Sequence, residues 1–77
     1  MSIARQATEV YESEYRERLE AEHFGEFVAI EPESRQSFVA PTFVEAALAA
    51  KAAFPARKSF VIRIGYDAAV HIGAATK

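Results

Sequence analysis

The chain has no cysteine and no tryptophan among its 77 residues. Without thiols it can form neither a disulfide nor a thiolate zinc site, which fits a reducing compartment. Two histidines, His23 and His71, and a single aspartate, Asp67, are too few and too far apart for a metal-ligand or acid/base constellation. They read instead as a helix-end residue and a strand-face residue. The glycines Gly25, Gly65 and Gly73 stand apart, so there is no phosphate-cradling loop. Ser13, Ser34, Ser37 and Ser59 lie in no G-x-S-x-G context that would activate a nucleophile. No apolar run approaches the ~20 residues of a membrane span, and the opening MSIARQATEV lacks the apolar core of a signal peptide. Positive charge is in deficit as well. A net charge of -2 and a pI near 5.6 give no general attraction to phosphate backbones or anionic lipid. These absences predict a cytoplasmic protein that is not an enzyme, carries no cofactor or metal, takes no small-molecule substrate and binds no membrane.

What is present is a folding composition, with 51% hydrophobic and 26% charged residues. The chain reads as one domain, 1–77. A domain of this size buries only roughly 60% of its unfolded surface, so a second chain would add to its stability.

Ser2 is placed to cap a helix that runs to about residue 24, with Gly25 suited to the left-handed position that ends helices. Arg5 with Glu9, Glu12 with Arg16, Glu14 with Arg18, Arg16 with Glu20 and Arg18 with Glu22 stand at i,i+4 and support it. The apolar residues Ile3, Ala7, Val10, Tyr11, Tyr15 and Leu19 recur closer to every 4 residues than every 3.6. Such a stripe drifts around a regular helix. The expectation is that the two ends cannot face one flat surface, so the first turns either fray or project toward a partner.

Residues 26–31 form the first expected strand, whose run Phe27, Val28, Ala29, Ile30 is apolar on both faces and therefore central. Pro32, Glu33 and Ser34 make a turn, and residues 36–40 return. Thr42 and Glu45 then form a T-x-x-E capping box that opens a helix over residues 42–54. Phe43, Ala47, Ala50 and Phe54 are expected along its core side, and Pro55 lies just past its end. Residues 59–65 give a third strand, and residues 69–73 a weaker fourth that leads into a tail, 74–77. The fold class expected is α+β: an N-terminal helix over 1–24, then a β-β-α-β-β core over 26–73. Its mainly antiparallel sheet has order 2-1-3-4 and one helix packed on a face. The second sheet face then needs the N-terminal helix or another chain over it.

Two sets of residues are candidates for binding. Val10, Tyr11, Tyr15 and Leu19 form an amphipathic patch on the first helix that suits a protein partner. Arg57, Lys58 and Arg63, with Phe60 beside them, form a small basic group that suits nucleic acid, with Arg63 alternatively pairing a glutamate.

The segments F-V-A-I-E-P-E-S-x-x-x-F at Phe27–Phe38, T-x-x-E-A at Thr42–Ala46, F-P at Phe54–Pro55 and R-I-G at Arg63–Gly65 resemble a family of short bacterial proteins. Genes for that family often neighbour those of retropepsin-like aspartic proteases. The resemblance spans about residues 11–73. It implies the regulatory or antitoxin-like half of a gene pair, whose partner is the neighbouring gene product or a second copy in a homodimer. The order strand, strand, T-x-x-E-A helix, strand is also similar to the antitoxin half of HicA/HicB systems, although that family's first strand is missing here. Residues and resemblance together predict a non-catalytic protein-interaction module, with a small nucleic-acid-binding regulator as the alternative.

Overall fold

A computed structural model describes residues 2–66. The expected fourth strand at 69–73, the tail and His71 lie outside the described residues. Helix α1 spans Ile3–Val10, one wide turn spans Tyr11–Tyr15, and helix α2 spans Arg16–Glu22. Strand β1 spans Phe27–Glu31, β2 Gln36–Ala40 and β3 Phe60–Arg63, with helix α3, Phe43–Ala53, between the last two strands. The architecture is a small α+β domain in which β1 lies between β2 and β3 and is antiparallel to both. Phe27 sits opposite Ala40 on one side and Arg63 on the other, and Ile30 opposite Ser37 and Phe60.

The doubly apolar β1 sends alternate side chains into two cores. Val28 and Ile30 join Ile62 and Ile64 of the third segment against Ala7, Val10, Tyr11 and Leu19 of the N-terminal helical segment. Ala29 meets Ala46 and Ala50 of α3 on the other face, with Phe27, Phe38 and Val61 around them. Each fully buried Val or Ile contributes about 1.5–3 kcal/mol. The larger fully buried apolar residues lie on the N-terminal side, so the first helical segment covers the thicker half of the core.

That cover depends on the wide turn. In a regular α-helix, a four-residue step carries a side chain about 40° past a full turn, and the stripe Ile3, Ala7, Tyr11, Tyr15, Leu19 would leave the sheet. At Tyr11–Tyr15 the ladder switches to π geometry, in which the Arg16 N–H donates to the Tyr11 carbonyl five residues back. The extra residue turns the stripe back, and residues on both sides of it are buried in one cluster. Neither fraying nor projection of the first turns occurs: Ser2 caps α1 by accepting from the Arg5 N–H at 3.1 Å, and Ala7 and Val10 are buried. The Ser13 hydroxyl donates to the Glu9 carbonyl at 2.9 Å where the ladder changes period.

The ion pairs follow this geometry. Arg16 bridges Glu12 at 2.7 Å and Glu20 at 3.0 Å, which raises its pKa, and Arg5 reaches Glu9 at 3.6 Å. Glu14 instead pairs with Arg35 in the β1–β2 turn, and Arg18 lies 5.6 Å over the Tyr15 ring. The Tyr15 hydroxyl donates to the Arg35 carbonyl at 2.5 Å. Two residues of the π turn therefore hold Arg35, whose φ of 63° is left-handed and costly for a non-glycine side chain.

Helix α3 begins as the sequence predicts, with the Glu45 N–H donating to the Thr42 hydroxyl at 3.2 Å. Its core line differs from the expectation. Ala50 is buried as expected, together with Ala46, whereas Ala47 and Phe54 are half-buried and Phe43 is 55% exposed, its ring edge-on to Phe27 at 6.3 Å between centroids. Alanines at the contact let the helix approach Ala29 closely, and that approach leaves no depth for Phe43. No helix of the described residues is long and apolar enough to cross a membrane.

Candidate functional site

The residues proposed from sequence as a partner surface are placed inward. Val10, Tyr11 and Leu19 lie within the protein's own core against β1 and β3, and only Tyr15 keeps a partly exposed ring. The drift that suggested a partner is absorbed by the π turn. Burial pushes the Tyr11 phenol above its ordinary range, with the Gly65 backbone acting against the shift. The hydroxyl approaches the Gly65 backbone but makes no hydrogen bond of good geometry among the described residues.

The basic trio is split by the sheet. Arg57 lies beside the β1–β2 turn, where it donates to Glu31 at 3.3 Å and approaches Glu33 at 3.5 Å. Arg63 is at the far end of β3, opposite Phe27. Among the described residues it pairs no glutamate. Its guanidinium lies 4.2 Å over the Tyr66 ring and 5.5 Å from that of Phe27, and donates to the Gly25 carbonyl at 3.3 Å. Lys58 is exposed between the two. One arginine is neutralised by two carboxylates and the other is stacked, so the three do not form a continuous basic patch.

Among the described residues the buried ionic group is Glu31, which was not singled out by sequence reasoning. Its side chain is 1% exposed, and its carboxylate accepts from the Glu33 N–H at 3.0 Å and the Ser34 N–H at 2.8 Å. Burial pushes its pKa up, but Ser34, the two backbone N–H groups and Arg57 outweigh that and hold the carboxyl below its ordinary range. The arrangement clamps the Pro32–Arg35 turn. The only sequence trace of it is a carboxylate placed immediately before a proline turn, at Glu31-Pro32. His23 pairs with Glu26 at 3.1 Å at the end of α2. Among the described residues, no three metal-ligating side chains converge.

A groove of about 740 Å³ runs between α1 and the β1–β2 turn, lined by Val10, Pro32, Glu9, Glu12, Glu33 and Arg35 among others. Three acidic groups face one arginine there, which disfavours an anionic ligand.

The outer side of α3 differs from the rest of the surface. A helix that covers one sheet face is expected to be polar on its other side, yet α3, FVEAALAAKAA, is apolar around most of its circumference. Val44 and Leu48, one turn apart, are each 61% exposed. With the sequence advancing about 100° per residue, the outward face centred on Leu48 comprises Val44, Glu45, Leu48, Lys51 and Ala52, all of them exposed. Sequence reading missed this face because it sought a single apolar stripe on a helix that has none.

The described residues thus form a small α+β domain with a sheet enclosed between two helical layers and an apolar helix face that none of them covers. No family model, curated protein or solved structure matches the chain.

Proposed function

We propose that the protein is a non-catalytic, cytoplasmic interaction module that binds another protein chain through the outer face of α3. The observation that carries this reading is the exposure of Val44 and Leu48 on a helix whose opposite side already covers the sheet. A face of this kind is stabilised by a partner that removes it from water, at about 25 cal/mol per Å² of apolar surface. The resemblance carried by Phe27–Phe38 and Arg63–Gly65 supports the regulatory half of a gene pair, and residues 69–73 would complete a sheet of order 2-1-3-4. The nucleic-acid alternative is weaker, because Arg57 is already paired with Glu31 and Glu33.

The test is affinity capture with the tagged full chain, alongside a Val44→Ser/Leu48→Ser variant. The reading expects a chain, the untagged protein itself included, that is retained by the wild type and lost with the variant. Equal recovery by both overturns it.

A further inference from the structure

We infer that the occupant of the α3 face is a second copy of this chain, packed antiparallel about a two-fold axis beside Leu48; this rests on the interaction reading above and names its partner. An isologous interface places residue i against residue j and j against i. Such pairing about Leu48 requires residue numbers that sum to 96, twice 48. On the exposed face this sets Leu48 against itself, Val44 level with Ala52, Glu45 level with Lys51, and Pro41 level with Pro55 just outside the helix ends.

The charges decide the direction. Glu45 in the first turn and Lys51 in the last turn make no ion pair within the chain among the described residues. Antiparallel packing brings Glu45 level with Lys51 of the second copy twice over, and it opposes the two helix dipoles. Parallel packing would set Glu45 against Glu45 and Lys51 against Lys51. The flanking Ala49 and Ala52 have no bulk to hold the helix axes apart, and the 8–10 Å separation usual for packed helices lets Glu and Lys side chains meet. At 11 residues, α3 is about 16 Å long. The interface then falls below the ~1,200–2,000 Å² of stable complexes, so the dimer is concentration-dependent, with a dissociation constant of about 10 µM to 1 mM.

Sedimentation equilibrium of the pure full chain, from about 10 µM to 1 mM, reads this directly. The wild type is expected to shift from monomer toward dimer across that range and no further. Leu48→Glu, which brings like charges together on the two-fold axis, is expected to abolish association while leaving the circular dichroism spectrum unchanged. Glu45→Lys alone and Lys51→Glu alone are each expected to weaken association about tenfold. The Glu45→Lys/Lys51→Glu double variant, and an equimolar mixture of the two single variants, are expected to restore it, because each regenerates two opposite-charge contacts. A wild type that remains monomeric at 1 mM, or single variants that associate as well as the wild type, overturns the proposal. A monomeric pure protein whose captured partner still depends on Val44 and Leu48 refutes the second copy and leaves the interaction reading standing. Loss of both results removes both.

Discussion

Replacing Glu31 by glutamine tests how the β1–β2 turn is held. The substitution keeps the shape of a side chain that is almost fully buried but removes its charge and turns one acceptor oxygen into a donor. In the wild type, one oxygen accepts from the Glu33 N–H at 3.0 Å and the other from the Ser34 N–H at 2.8 Å. The amide can satisfy one of these and must face the other with its own N–H. Loss of a hydrogen bond to a charged acceptor costs about 1.5–3 kcal/mol, and the retained bond is weakened by loss of charge. Arg57 adds little to the cost, since its side chain is 45% exposed and Glu33 remains within reach. We expect Glu31→Gln to destabilise the fold by about 2–4 kcal/mol, against roughly 4–12 kcal/mol for a domain of this length. The corresponding fall in Tm is roughly 8–32 °C. Urea denaturation followed by far-ultraviolet circular dichroism measures the difference, and Arg57→Gln, expected to cost under about 1 kcal/mol, is the control. The pH dependence follows from the same contacts. Glu31 has a lower pKa folded than unfolded, so the unfolded chain takes up the proton first as pH falls. Its contribution is therefore complete above about pH 5 and is lost as pH drops below about 4.3 through the folded value. The gap between wild type and variant should close over that acid range. A loss below about 1 kcal/mol at neutral pH, or a gap that is the same at pH 7 and pH 3, would refute the clamp.

Two further predictions concern the first helical segment. Deleting Ser13 removes the residue that makes the π turn wide, so α1 and α2 should join as one regular helix with Ala7, Val10 and Leu19 still on the sheet. Stability should then change by no more than about 1 kcal/mol. Deleting Ala21, in regular α2, rotates everything before it by about 100° and should cost several kcal/mol as those residues leave the core; equal effects of the two deletions in urea titrations would show that the wide turn sets no register. Tyr11→Phe removes a buried hydroxyl that has no partner among the described residues, and should be neutral or stabilising by up to about 1 kcal/mol. A clear loss in thermal denaturation would mean that the hydroxyl is hydrogen-bonded.

The elements with a local chemical signature were legible from sequence. The T-x-x-E box located the start of α3, the uninterrupted apolar run Phe27–Ile30 marked a strand covered on both faces, and Gly25 ended the first helical segment at a φ of 89°. The wide turn was visible as a four-residue spacing but was read as drift around a rigid helix. A change of helical period at Tyr11–Tyr15 is selected by the sheet beneath it, and no single residue in YESEY encodes it. The same assumption moved Val10, Tyr11 and Leu19 to the outside as partner contacts. On α3 the failure had the opposite cause: a helix apolar around most of its circumference has little phase, and packing on Ala29 and its neighbours decides that Ala46 and Ala50 face inward and Leu48 outward. The pairing of Arg57 with Glu31 joins residues 26 apart and depends on the register of the turn, which composition does not contain.

The order of the layers also bears on how the chain is made. During synthesis α1 and α2 emerge before any of the surface they cover, and the last of their described partners, Ile62 and Ile64, come after β1, β2 and α3. Until then Ala7, Val10, Tyr11 and Leu19 have only part of that surface, Val28 and Ile30 of β1, to rest on. The Glu12–Arg16–Glu20 chain of ion pairs lies within the segment itself and needs nothing downstream. It can favour a helical nascent segment and keep it charged while β3 is still being added. The N-terminal layer is thus encoded by local electrostatics first and by packing last.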